Sequence, residues 1–104
     1  MIKILIMCMQ GMSTSVIENK MQAYADANGI EITMQAIPTH EFKGVDDNDI
    51  VVLGPQVKYA QDEIRKKMDA TGGKEIPLYV IEAQDFGMMR GDAVMKKILK
   101  VLGK

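Results

Sequence analysis

A four-stranded parallel α/β sheet with helices on both faces is the fold class this sequence predicts. Three observations predict it. Apolar, β-branched runs alternate with segments of helical spacing, the runs are bounded by Gly, Pro, Asn or Asp, and the punctuation between them fits helix caps. The 104 residues fit one domain, 1–104, able to bury about two-thirds of its unfolded surface. With 47% hydrophobic and 26% charged residues, nothing in the composition points to disorder.

The first strand spans Ile2 to Met7. A loop then leads into a helix beginning near Ser13, a good N-cap, with Val16, Lys20, Met21 and Tyr24 at helical spacing. Asn28 and Gly29 stand where that helix should end in a left-handed cap, and the second strand follows from Ile30 to Ile37. The stretch "PTHEFKGVDDN", Pro38 to Asn48, is rich in turn formers with room for one short helical turn. The third strand is Ile50 to Leu53. Gly54 and Pro55 then open a helix carrying Val57, Ala60, Ile64 and Met68, and Gly72 and Gly73 close it. The fourth strand runs from Ile76 to Ile81, and Val94, Ile98, Val101 and Leu102 mark a last helix. Strands alternating with helices imply right-handed crossovers and ligand sites at the carboxyl ends of the strands.

Charge and length narrow the function. Lys and Arg (13) nearly match Asp and Glu (14), so no broad positive field exists to hold nucleic acid, and none is expected as a partner. The apolar run Ile4 to Met7 is too short for a signal peptide or a membrane span, and no later segment is longer, so a cytoplasmic protein is expected. A single cysteine, Cys8, forms no intrachain disulfide; it is either a buried small hydrophobe or a working thiol.

Position favours the working thiol. Cys8 follows the first strand directly and so stands at the site-forming edge, on a loop that enters a helix. Gly11 lets the loop fold back, and the amides of residues 9 to 15, with the positive end of the helix, would form an anion nest around the sulfur. Such a nest favours the thiolate and equally cradles a phosphoryl group. At least one of Ser13, Thr14 and Ser15 is accounted for as a cap.

The run "CMQGMSTS", Cys8 to Ser15, together with "VVLGPQVKY", Val51 to Tyr59, resembles the enzyme IIB component of the lactose and cellobiose type in the bacterial phosphoenolpyruvate-dependent sugar phosphotransferase system. The family pattern is matched at Cys8, Gly11, Ser13, Thr14 and Ser15, and its Gly-Pro-Gln at Gly54, Pro55 and Gln56. The resemblance covers essentially the whole chain. It implies that Cys8 is a phosphocysteine, accepting phosphoryl from a phosphohistidine of enzyme IIA and passing it to a sugar on the membrane component IIC. The loop Met9, Gln10, Gly11, Met12, Ser13, Thr14 and Ser15 would bind the phosphoryl group, and no cofactor or metal is implied. The implied fold is that of low-molecular-weight tyrosine phosphatases.

That relative supplies the alternative, a phosphohydrolase. A phosphatase loop needs Arg six residues after its Cys, to clamp the phosphoryl oxygens; here that residue is Thr14, and no cation lies between Cys8 and Ser15. It also needs an acid for the leaving phenol. Asp85 and Asp92 follow the fourth strand, where solvated surface acids are expected. A redox enzyme would want a resolving cysteine, which the sequence lacks. Gln56 either frames the loop or simply begins the second helix, and Arg90 either borders the site or is solvated. His40, the only histidine, reads as an exposed loop residue. Among ten methionines Met7 fits the core, whereas Met9, Met12, Met88 and Met89 fall on loops at the same edge and would form a soft apolar rim for docking two partners in turn.

Overall fold

The computed structural model describes residues 1–8, 12–45 and 47–104, with only the backbone of 12–14. Its strands are β1 (Ile2–Met7), β2 (Ile32–Ile37), β3 (Ile50–Leu53) and β4 (Leu78–Val80), and its helices α1 (Met12–Ala27), α2 (Gln61–Ala70), α3 (Ala83–Gly87) and α4 (Gly91–Val101). The strands form one parallel sheet in the order β2-β1-β3-β4. β1 and β3 are central. All four residues of β3 are buried, as a strand covered on both faces requires.

Alternate residues of each strand feed two cores. Ile2, Ile4 and Ile6 of β1 pack with Ile17, Met21 and Ala25 of α1 and with Val94, Met95 and Ile98 of α4. Leu5 and Met7 face the other way, toward Phe42, Val45 and the Val57, Ala60, Ile64 and Met68 stripe. Each such fully buried aliphatic side chain contributes roughly 1.5–3 kcal/mol through lost water contact. The expected helices on both faces are present.

Boundaries differ from expectation where backbone hydrogen bonds are spent elsewhere. The end of α1 is a Schellman cap: Gly29 adopts φ 66°, its N–H reaches Asp26 O at 3.4 Å and Ile30 N–H reaches Ala25 O at 2.8 Å. Ile30 is thus part of the cap, and β2 begins at Ile32. Pro77 has no N–H to give a ladder, so β4 starts after it. After Gly54 the chain first makes a 3-10 helix, Pro55–Ala60, broken by a non-helical Val57, before α2 starts. The expected turn in 38–48 is a 3-10 turn at Thr39–Glu41.

The outward faces of two helices also need correction. Val16 is 41% exposed and Lys20 is exposed, because the buried stripe of α1 runs through Ile17, Met21 and Ala25. Ile17 lies four residues from Met21 and shares its face, whereas Val16 is five away and turns outward. Val101, likewise, is 47% exposed. The two helices pack closely because position 91 is glycine: a Cβ there would stand 2.5 Å from Lys20 Cβ and 2.7 Å from Met21 N.

Candidate functional site

The carboxyl ends of β1 and β3 lie side by side, Met7 in register with Leu53, and Gly54 N–H bonds Met7 O at 2.8 Å. From β1 the chain goes to β2 on one side and later returns to β3 on the other. The crevice between β1 and β3 is therefore the switch point at which ligands bind in open parallel sheets. Cys8 is the first residue past β1 there, with 6% of its surface exposed.

Gly54 is what brings β3 against that cysteine. A Cβ on residue 54 would stand 2.8 Å from Cys8 Cβ and 2.9 Å from Gln56 Oε1. Its φ of −69° is ordinary, so this glycine is required for space and not for conformation. Gln56 belongs to the 3-10 helix after Gly54 and is exposed, yet its side-chain oxygen turns back over the α-carbon on which Cys8 rests. It frames the site.

On the other side of the loop α1 begins at Met12, one residue earlier than the cap expected at Ser13, and its first turn carries no acidic residue to offset the positive helix end. Ser15 is exposed. Met9, Gln10 and Gly11, and the side chains of Met12, Ser13 and Thr14, lie outside the described residues.

Arg90 is the N-cap residue of α4. Its guanidinium lies 3.1 Å from Met88 Sδ and 3.9 Å from Asp85 Oδ1. Asp85, expected in solvent, is 4% exposed: α3, a five-residue helix too short to show in the sequence, turns it inward to accept from Lys97 Nζ of α4 at 2.6 Å. Glu82 also holds Lys97, at 3.0 Å, and these two hydrogen bonds raise the lysine well above its ordinary value. Tyr79, whose hydroxyl is buried beside this network, is raised mainly by burial. The network pins α3 to α4. Residues twelve apart in sequence carry no short-range signal of such a pair.

Of the rim methionines outside the loop, Met88 is 59% exposed, but Met89, at φ 53°, packs against the α1 and α4 core. Asp92 is exposed in the first turn of α4 and His40 is exposed at the 39–41 turn. Among the described residues there is no cluster of His, Cys, Asp or Glu able to hold a metal ion, and no helix long and apolar enough to cross a membrane.

The family model for the PTS system, lactose/cellobiose-specific IIB subunit, matches residues 3–97. A galactose-specific EIIB component of Lactococcus lactis subsp. cremoris is 39% identical over 94 residues, spanning 85% of this chain and 84% of the relative. A cellobiose-specific EIIB component of Lactococcus lactis subsp. lactis has the same identity and spans. An oligo-beta-mannoside-specific EIIB component of Bacillus subtilis is 32% identical over 101 residues, 96% and 95% of the two chains. Among solved structures, a cellobiose-specific IIB component of Borrelia burgdorferi superposes with a TM-score of 0.73 at 30% identity, over 98% of this chain and 92% of that one. The lactose-specific IIB domain of Streptococcus pneumoniae, at 15% identity, shares the fold alone, with a TM-score of 0.75 over 95% of each chain. This is the sheet also seen in low-molecular-weight tyrosine phosphatases. With residues 3–97 matched and relatives of 39% and 32% identity along most of its length, the chain belongs to the lactose/cellobiose-specific IIB subunits and is a phosphotransferase component of PTS sugar transport.

Proposed function

We propose that residues 1–104 act as one phosphocarrier domain in which Cys8 takes a phosphoryl group from a phosphohistidine of enzyme IIA and gives it to a sugar held by the membrane component IIC. The observation that carries the reading is the place of Cys8, directly past β1 at the β1/β3 switch point and ahead of the N-terminus of the 16-residue α1. In the first step the thiolate, its proton already released to solvent, attacks phosphorus in line. The S–P bond forms as the P–N bond breaks, and that electron pair returns to the imidazole. In the second step a sugar hydroxyl attacks the same phosphorus, the O–P bond forms, the sulfur leaves as thiolate, and the hydroxyl proton goes to a base on the acceptor's side.

Charge developing on the equatorial oxygens is met by the positive end of α1, by the amides of the Met9 to Met12 loop and by hydroxyls of Ser13, Thr14 and Ser15. A neutral cradle of this kind holds the group without the cationic clamp that drives hydrolysis. The protein works in the cytoplasm and meets the membrane only through IIC. The sugar is of the cellobiose, chitobiose or lactose class and is chosen by IIC. In support, two relatives of equal 39% identity carry the names of different sugars.

Incubation with phosphorylated IIA followed by intact-protein mass spectrometry tests this. One phosphoryl group should appear on the wild type, and Cys8→Ser should fold and take none; full transfer by that variant would refute the assignment. The isolated protein should also leave an aryl phosphate untouched. Turnover of about one per second or faster, lost in Cys8→Ser, would establish the phosphohydrolase instead.

A further inference from the structure

We infer that Gln56 is a positioning residue for phosphoryl transfer, its side-chain amide donating a hydrogen bond to the phosphoryl group on Cys8. The inference rests on the reading of Cys8 as the phosphoryl acceptor. It starts from Gly54, over whose α-carbon Cys8 Cβ and Gln56 Oε1 converge to 2.8 Å and 2.9 Å of one point. Two side chains meet there because the residue beneath them has none. An exposed glutamine would normally extend into water, where its carboxamide is fully hydrated and its rotamers are free. That of Gln56 folds back over Gly54 beside Cys8, which directly follows β1.

The arrangement suits a group that receives charge. α1 begins at Met12, four residues past Cys8, and the β3 side offers no cation within the Gly54, Pro55, Gln56 and Val57 turn. Gln56 is the one side-chain donor on that turn. With the thiol unmodified, Oε1 is the glutamine atom that lies 2.9 Å from where a Cβ on Gly54 would stand. The terminal torsion of glutamine is broad and nearly two-fold, so a half-turn brings Nε2 to the same place without moving the rest of the chain. An N–H there would donate to a phosphoryl oxygen. Because the donor is neutral, it steadies the group without adding a fixed positive charge.

The test uses the full chain with phosphorylated IIA, comparing wild type, Gln56→Leu and Gln56→Glu. Loss of one donor to a charged oxygen should slow transfer to Cys8 by about ten- to a hundredfold in Gln56→Leu and lower the fraction phosphorylated at equilibrium. Thermal stability and Cys8 alkylation should be kept. In Gln56→Glu the carboxylate repels the phosphoryl group at neutral pH, so transfer should be slower still than in Gln56→Leu. The wild-type Gln56 side-chain N–H resonances should move downfield when Cys8 is phosphorylated. If the wild type takes phosphoryl while Gln56→Leu transfers at the same rate and those resonances stay still, Gln56 has no such role. A wild type that takes no phosphoryl group at all would instead overturn the reading of Cys8, and this one with it.

Discussion

Gly54→Ala tests the packing on which the site depends. The new Cβ would lie 2.8 Å from Cys8 Cβ, 2.9 Å from Gln56 Oε1 and 3.7 Å from Cys8 Cα. Non-bonded carbons settle at roughly 3.5–4.0 Å, so the cysteine must retreat by about 0.7 Å or more. The glutamine oxygen is the far end of a flexible chain and moves cheaply; Cys8 Cβ is one bond from the backbone and does not. Gly54 itself is tethered by its N–H to Met7 O at 2.8 Å, and Leu53 O accepts from Ile81 N at 2.9 Å, so β3 has no slack to give. Overpacking of this kind costs about 1–3 kcal/mol. For a domain of this size that lowers Tm by roughly 5–15 °C.

The same displacement should slow phosphoryl transfer, since misplacing a reacting atom by about 1 Å can cost a hundredfold. Gly87→Ala is the control: among the described residues nothing lies within 4 Å of its would-be Cβ, and it ends α3 without a positive φ. That change should leave Tm unchanged or raise it slightly, by at most about 1 kcal/mol through the unfolded state. Circular dichroism melts and a timed transfer assay read both variants. Equal melting of Gly54→Ala and Gly87→Ala, with unchanged transfer in the first, would refute the claim that glycine at 54 serves Cys8.

Gly91→Ala should be more damaging to stability than Gly54→Ala, at or above about 3 kcal/mol by denaturant unfolding, because its obstacles include the backbone of Lys20 and Met21 at 2.7 Å. A loss below about 1 kcal/mol would mean that α1 and α4 part easily. At the ion network, Lys97→Met should lower Tm more than Asp85→Asn, since the first strands a carboxylate that is 4% exposed while the second leaves an amide that still accepts from a half-exposed lysine. Lys97 is raised above its ordinary 10.5, so its stabilisation is complete below that pH and is lost as pH climbs toward the raised value. The Tm gap between wild type and Lys97→Met should therefore close in alkali above about pH 10.5 and stay constant across neutral pH.

The two central strands are legible to the residue: Ile50–Leu53 is a continuous apolar run stopped by Gly54, and Ile2–Met7 is apolar except for Lys3. The other two were read too long. Ile30 and Pro77 look like strand on composition, but one is committed to the helix cap and the other cannot donate to a ladder. The three longer helices are legible and α3 is not, and the face of α1 lies one residue from where spacing puts it, since Val16 and Ile17 are alike in composition and only packing against β1 distinguishes them. For the site, the edge position of Cys8 followed from strand order. Its contact with Gly54 was invisible, because strand pairing, not sequence spacing, brings residues 8 and 54 together.

The ion network also bears on why this phosphatase-like sheet should carry a phosphoryl group and not hydrolyse it. Hydrolysis on such a loop needs a cation to gather the phosphoryl oxygens, an acid to protonate the leaving group, and room for water. Position 14 is Thr, and the loop from Cys8 to Ser15 holds no cation. The arginine nearest in chain order to the β4 edge, Arg90, leans on Met88 and Asp85. The acid at that edge, Asp85, is buried with Oδ2 on Lys97, so its charge is not presented to a substrate. Asp92, the other acid, is exposed on the first turn of α4, where the helix end alone accounts for a carboxylate. What makes a phosphatase fast is here either replaced or tied up in holding α3 to α4, so a phosphoryl group on that sulfur would keep until a better nucleophile is brought to it.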